Sequence, residues 1–378
     1  VSSAKQKSRP IYIFTHEFFP KKAGISICVQ EMAKSLAGFG REVTVFAPKH
    51  SAFKTHLFPY STVPLNNRGT HGWGCRIVTM REMMRYKDKI AKGVLCLPEP
   101  GPILAFMYLR LFKRIQPQKL ILILHGSEIL RFGKSRLLKC LFRSLLRDTD
   151  RILLFSKYCE KTLCDYFPEA SGRTVVAPGA LRSEFVPIPP RDTHLMSNTV
   201  KLLTVARLHP RKGQMQVLEA INAMPSALKE KVVYQIAGPI VKAAYFEQIK
   251  QYAQTHHINI AYLGEVPEEA LPRCYHEADI FVMASIPYQN SIEGFGLSYL
   301  EASASGLPVV GYDSGGVSDA VLDNKTGFLA PVGGVDELSK MLTRLIEQPE
   351  LRKRMGKAGI TFAKQCSWIK NAKITFED

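Results

Sequence analysis

No apolar run in this 378-residue chain approaches the ~20 residues that a membrane-spanning helix needs. The nearest, Gly101 to Phe112, is short, begins beside Pro100 and is cut by Arg110, so no bilayer-spanning helix is expected. The eight cysteines (28, 75, 96, 140, 159, 164, 274 and 366) contain no Cys-x-x-Cys, and no histidine cluster has zinc spacing. This argues against a disulfide framework or a structural metal and predicts free thiols in a reducing, cytoplasmic compartment. Val1 to Arg9 are polar and basic without an apolar core, so no secretory signal is read there. The Val at position 1 implies a missing or processed start. Short-period repeats and low-complexity tracts are also lacking.

Acidic residues are scarce in one half only. Residues 1–190 hold 31 Lys and Arg against 13 Asp and Glu, whereas residues 191–378 hold 20 of each, so the whole +18 lies in the first half. A one-sided basic field implies a polyanionic partner: anionic lipid, an acidic acceptor or nucleic acid. Nucleic acid is disfavoured, because the basic half lacks the aromatic spacing of a base-stacking platform.

With 46% hydrophobic and 22% charged residues the composition is that of a globular protein long enough for two cores. Short apolar runs alternate with helical patterns: Ile11–Phe14, a helix from Ile25 to Leu36, Val43–Phe46, Leu120–Leu124, Arg151–Phe155 and Thr174–Val176. After a proline-rich stretch at Glu184–Asn198 the alternation restarts with Lys201–Ala206, Val232–Ala237 and Ile280–Met283. Continuous apolar strands between amphipathic helices predict parallel sheets covered on both faces. The fold expected is α/β with two Rossmann-like, doubly wound domains facing across a cleft: 9–185, a linker at 186–199, 200–360, and a C-terminal helix at 361–378 crossing back to the first domain.

Two glutamates eight positions apart, Glu293 and Glu301, flank Gly294-Phe295-Gly296-Leu297-Ser298-Tyr299-Leu300. The glycines leave backbone N–H groups bare where a helix begins, and a helix N-terminus attracts anions. Eight residues exceed two turns of 3.6 by less than one residue, which predicts both carboxylates near one face. Two acceptors with donors between them suit a diphosphate carrying hydroxyls at both ends. Upstream, Arg207 and Lys212 lie five apart before Gly213, at a strand-to-helix turn where two cations can grip a diphosphate.

The paired glutamates resemble the signature of the retaining GT-B glycosyltransferases, in the large family that includes phosphatidylinositol mannosyltransferases, lipopolysaccharide core glucosyltransferases and sucrose synthases. The Arg207-x-x-x-x-Lys212-Gly213 element is similar to that family's, and so are Ala237-Gly238-Pro239, Tyr262-Leu263-Gly264-Glu265-Val266, and the run through Gly306-Leu307-Pro308, Ser314-Gly315-Gly316 and Thr326-Gly327. The resemblance implies transfer of a hexose from a nucleoside-diphosphate donor to a lipid-linked or glycan acceptor, with retention and without a metal or other cofactor. It implies Glu293 on the donor sugar, Gly294, Phe295, Gly296 and Leu297 on the phosphates, Glu301 on the ribose, Arg207 and Lys212 on the leaving diphosphate, and Gly238 and Val266 around the base. In the first half it implies His125 of His125-Gly126-Ser127-Glu128 facing the transferred sugar, with Glu128 orienting the turn, and Gly24 meeting phosphate. Two departures stand out: Ala23 replaces the first glycine of the Gly24 loop, and Pro178-Gly179-Ala180 replaces an Asn-Gly-Val turn.

Asp148-Thr149-Asp150 has a metal-binding form, but lies between a cationic helix and a strand and is set aside as a solvated helix end. The first half is expected to dock on an anionic inner membrane face. Arg81, Arg85, Lys89 and Lys92 fall near one face of a predicted helix. So do Lys139, Arg143 and Arg147, opposed by Leu137, Leu138, Leu141, Phe142, Leu145 and Leu146. Two rival readings are a nucleotide-sugar 2-epimerase and a non-catalytic polyanion-binding protein.

Overall fold

The computed structural model describes residues 9–20, 24–50, 58–67, 69, 72–112, 115–189, 199–289 and 291–377. The chain divides into two compact units, one formed by Val1–Ala177 with Trp368–Asp378 and the other by Pro178–Ser367.

Unit 1 holds β1 (Ile11–Phe14), β2 (Val43–Pro48), β3 (Ser61–Leu65), β4 (Val94–Leu97), β5 (Lys119–Leu124), β6 (Arg151–Leu154) and β7 (Thr174–Val176). They form one parallel sheet in the order β3-β2-β1-β4-β5-β6-β7. β1, β4 and β5 are buried at every position, because helices cover both faces and neither can be polar. β3 carries Pro64 and is tolerated because it pairs only with β2, at the edge.

Unit 2 holds β8 (Val200–Val205), β9 (Val232–Ala237), β10 (Ile260–Gly264), β11 (Ile280–Met283), β12 (Val309–Tyr312) and β13 (Gly327–Ala330). These strands are parallel in the order β10-β9-β8-β11-β12-β13. Both sheets reverse their direction of growth, between β1 and β4 and between β8 and β11. Such a switch point opens a crevice beyond the strands' carboxyl ends, where ligands of doubly wound sheets bind.

The unit boundary falls before the expected linker. Pro178 to Phe185 belong to unit 2, where a Cβ on Gly179 would lie 2.9 Å from the side chains of both Phe295 and Leu297 and Phe185 meets Tyr275 edge-on at 5.7 Å. Residues 190–198 of that linker lie outside the described residues. The C-terminal crossing is also shorter than 361–378. The helix Pro349–Gln365 stays in unit 2, where a Cβ on Gly356 would lie 2.0 Å from the Gly306 carbonyl oxygen. Only the helix Trp368–Phe376 joins unit 1, where Arg151 Nη1 donates to the carbonyls of Ile374 (2.7 Å) and Glu377 (2.6 Å).

Candidate functional site

At the switch point of unit 2 the chain leaving β8 turns back through a 3-10 turn at Pro210–Lys212, begun by His209, whose Nδ1 accepts from the Arg211 N–H at 3.1 Å. Gly213 follows with φ 72°, and a Cβ there would lie 1.8 Å from the Ala284 carbonyl oxygen just beyond β11, so only glycine fits. This turn aims Arg211 and Lys212 at Glu293. Glu293 Oε2 accepts from Lys212 Nζ at 2.6 Å, Arg211 Nη1 at 3.3 Å and Ser285 Oγ at 3.4 Å. Burial pushes the Glu293 carboxyl up, but Lys212 and Arg211 outweigh it and hold it below the ordinary carboxylate range. Burial likewise lowers the Lys212 ammonium, with Glu293 opposing that shift and Arg211 adding to it. The Glu293 carbonyl is held by the Gly316 N–H at 2.8 Å.

The sequence reading put Arg207 with Lys212 on the donor diphosphate and did not single out Arg211, which the structure places on Glu293. Arg207 is exposed and makes no ion pair among the described residues, while Arg211 also donates to the Ile292 carbonyl at 3.0 Å. Gly213 takes the left-handed backbone that closes the turn carrying Arg211 and Lys212.

The helix Leu297–Ala304 begins only after Gly296, at φ 89°, where a Cβ would lie 2.5 Å from the Tyr299 ring. Glu293 therefore precedes the helix, and the two-turn argument that put both glutamates on one helical face does not apply. Glu301 is 7% exposed and has its own partners. Tyr275 OH donates to its Oε2 at 2.8 Å, and Arg182 Nη2 approaches Oε1 at 3.3 Å. Arg182 also pairs with Glu268, in the loop that carries Val266. Burial raises the Glu301 carboxyl, opposed by Arg182 and Tyr275. Gly238, at φ 141°, lets the end of β9 reach the end of β8, since a Cβ would lie 2.2 Å from the Ala206 carbonyl oxygen; its N–H donates to Gly264 O at 2.7 Å. Val266 is half-buried just beyond.

In unit 1, Glu99 stitches the switch point. Its Oε1 accepts from Thr15 Oγ1 at 2.9 Å, from the Glu17 N–H at 3.0 Å and from the His16 N–H. His125 follows β5 directly; its backbone N–H donates to Glu128 Oε1 and its Nε2–H to the Pro98 carbonyl at 3.0 Å. Burial lowers the His125 imidazole, although Glu128 and the Pro98 carbonyl oppose that, so the ring is neutral at pH 7. Gly24 is exposed at the start of the helix Gly24–Gly38, with open space where a Cβ would sit; Ala23 lies outside the described residues.

Two surface expectations change. Arg81, Arg85, Lys89 and Lys92 do not share a helix. The helix Trp73–Arg85 ends at Tyr86, whose non-helical ψ of 12° starts the separate turn Lys87–Ile90. In the helix Arg136–Arg147, Phe142, Leu145 and Leu146 are buried in the core of unit 1, Leu138 and Leu141 pack against that core, and only Leu137 is exposed. Its cationic face remains, as a shallow groove of about 370 Å³ lined by Arg136, Lys139, Cys140, Arg143, Ser144 and Arg147. Arg143 reaches Glu169 at 3.3 Å. Asp148 pairs with Arg110, and Asp150 accepts from the Leu120 N–H at 2.7 Å, so both carboxylates hold the fold.

Residues 190–362 match the family model described as glycosyl transferases group 1. Unit 2 carries a glycosyl transferases group 1 domain. The chain is 27% identical over 263 residues to a GDP-mannose-dependent alpha-(1-6)-phosphatidylinositol monomannoside mannosyltransferase of Mycolicibacterium smegmatis, the match spanning 66% of each chain. It is similar in fold to sucrose-phosphate synthase from Thermosynechococcus elongatus, with a TM-score of 0.77, 19% identity and 96% of both chains covered. A HepE structure from Anabaena, in complex with UDP and glucose, matches with a TM-score of 0.72 and 18% identity over 97% of both chains. The expected GT-B architecture of two parallel-sheet α/β domains is therefore correct. Arg211, Lys212, Glu293 and Glu301 all lie within the group 1 domain match, whereas Arg182 precedes it.

Proposed function

We propose that the protein transfers a hexose from a nucleoside-diphosphate donor to a lipid-linked or glycan acceptor, with retention of configuration and without a metal. The observation that carries this reading is the buried Glu293, held between Lys212 and Arg211 at the switch point of the group 1 domain and followed at once by a glycine-rich helix start. The donor's diphosphate would take Lys212 and Arg211 from Glu293 and add the backbone N–H groups of Gly294, Phe295 and Gly296. Glu293 then turns to the sugar hydroxyls. Cations fixed beside the departing diphosphate stabilise the charge that grows as the glycosidic bond breaks, and such electrostatic stabilisation usually dominates the rate enhancement. The acceptor hydroxyl bonds to the anomeric carbon on the face the diphosphate leaves, and its proton passes to that diphosphate. Glu301, with Tyr275 and Arg182 behind it, accepts from the ribose.

The relatives' printed substrates favour a glycolipid or cell-envelope acceptor, and the cationic groove at Arg136–Arg147 favours a cytoplasmic enzyme docked on an anionic membrane. That docking is electrostatic, because the leucines of the helix are spent on the core; each Lys or Arg near an anionic surface contributes about 1 kcal/mol. The test is sugar transfer from UDP-, GDP- and ADP-hexoses to a cell-envelope lipid fraction, with the product anomer read by NMR. A product of the donor's own anomeric configuration supports the reading. An inverted product, or free epimerised sugar formed without acceptor, overturns it.

A further inference from the structure

Unit 1 holds a second cationic site that the donor reaction does not use. Arg76 lies in the first turn of the helix Trp73–Arg85 and is only 8% exposed, yet its Nε is buried without a hydrogen-bond partner. Neither Arg76 nor Arg131, which lies on the helix Ser127–Lys134 and repels it, makes an ion pair among the described residues. The first turn has no acidic residue and Gly72 offers no side-chain cap, so the positive end of the helix adds to the field instead of balancing it. A buried, unpaired cation in such a place is a cost that a bound anion would remove. Burial lowers the Arg76 pKa and repulsion from Arg131 adds to that, while Tyr108 partly opposes them.

The surroundings say what the anion is attached to. Trp73 is 59% exposed, stacks on Tyr108 with ring centroids 5.0 Å apart, and lies 5.0 Å from the Arg76 guanidinium carbon. An exposed indole offers apolar surface to the C–H groups of a sugar or polyol. Thr79, next along the same helix, bonds His16 Nε2 at 2.7 Å, which puts this face at the carboxyl end of β1; the helix of Arg131 follows directly on His125 and Gly126.

We propose that Arg76, Arg131 and Trp73 form a binding site for an organic phosphate, and that a phosphate-bearing sugar or polyol acceptor is held there. Two arginines that repel each other and lack a carboxylate match a phosphate, which takes guanidinium donors in pairs. The site deepens the transferase reading and rests on it only for calling the ligand an acceptor; binding itself needs no donor.

The chain's two tryptophans separate the test cleanly, since Trp73 is 59% exposed and Trp368 only 5%, so acrylamide quenching reports Trp73. The probes are glucose 6-phosphate, glucose, and phosphatidylcholine vesicles with and without phosphatidylinositol. Trp73 is expected to be shielded by a phosphate-bearing probe and not by glucose or plain vesicles. Arg76→Gln and Arg131→Gln should each weaken that shielding at least tenfold. Shielding by glucose 6-phosphate assigns a soluble phosphosugar; shielding by phosphatidylinositol vesicles alone assigns a lipid headgroup. No shielding by either phosphate, equal shielding by glucose, or wild-type behaviour of both variants overturns the site. If Arg76→Gln does not fold, the exposed Arg131→Gln decides. Donor binding, followed separately by thermal shift, is expected to survive in both variants; its absence in the wild type would sink the transferase reading and leave this site standing.

Discussion

Lys212 Nζ lies 2.6 Å from Glu293 Oε2, and the two side chains are only 13% and 10% exposed. The pair neutralises itself in this structure; in the proposed reaction the donor phosphates would compete for the cation and free the carboxylate for the sugar. Removing one partner of a buried pair leaves the other uncompensated, at a cost of about 3 kcal/mol. Lys212→Ala and Glu293→Ala should therefore each destabilise the protein, and the double variant should lose clearly less than the sum of the two. A double-mutant cycle by urea unfolding checks this; strict additivity would mean that the contact carries no energy.

The two glutamates should separate kinetically. Glu293→Ala is expected to lower kcat by a hundredfold or more with a modest change in KM, because its carboxylate meets the reacting sugar. Glu301→Ala should mainly weaken nucleoside-diphosphate binding. Arg182→Met should mimic Glu301→Ala, since Arg182 holds one oxygen of that carboxylate. Both glutamate variants turning over like wild type would refute the assignment.

Their pH effects have opposite signs. Glu293 has a folded pKa below its unfolded value, so its stabilisation is present above the ordinary carboxylate pKa of about 4.3 and is lost as pH falls through the lower, folded value. Glu301 has a raised folded pKa, so it costs stability at neutral pH, and stability rises as pH falls through that raised value toward about 4.3. Tm against pH for Glu293→Gln and Glu301→Gln should each lose one of these trends. Nucleotide affinity, which needs Glu301 ionised, should fall over the same raised window. Indistinguishable profiles for the two variants would contradict the assignment.

Donor turnover is expected to survive excess EDTA, because in the proposed site Lys212, Arg211 and the start of the helix Leu297–Ala304 would supply the positive charge at the diphosphate. Loss of activity with EDTA and rescue by manganese would show that these groups do not suffice.

Much of this site was legible in sequence because its residues cluster around glycines whose backbone conformations have little freedom. Gly213 and Gly296 stand where a Cβ would strike Ala284 or Tyr299, and they place Lys212 and the start of the glutamate helix. What spacing could not show is direction. Arg207, Arg211 and Lys212 look alike in one dimension, and only the tight turn at Pro210–Lys212 decides which two face Glu293. Arg182 is 119 residues from the carboxylate it pairs with and stands in no motif. In the fold, β3, β4, β10, β12 and β13 went unread; β3 carries Pro64 and β10 is largely unburied, so neither shows a continuous apolar run. The basic stretch at 81–92 looked like one helix because nothing in its composition announces the break at Tyr86.

The most direct test of the central claim is a thermal-shift titration of the wild type and of Lys212→Ala with UDP-, GDP- and ADP-hexoses. A ligand at ~100 times its dissociation constant stabilises by about 2.7 kcal/mol. One donor is expected to raise the wild-type Tm by several degrees and to leave Lys212→Ala unmoved at the same concentration. No shift with any donor, or equal shifts in both proteins, would contradict the account.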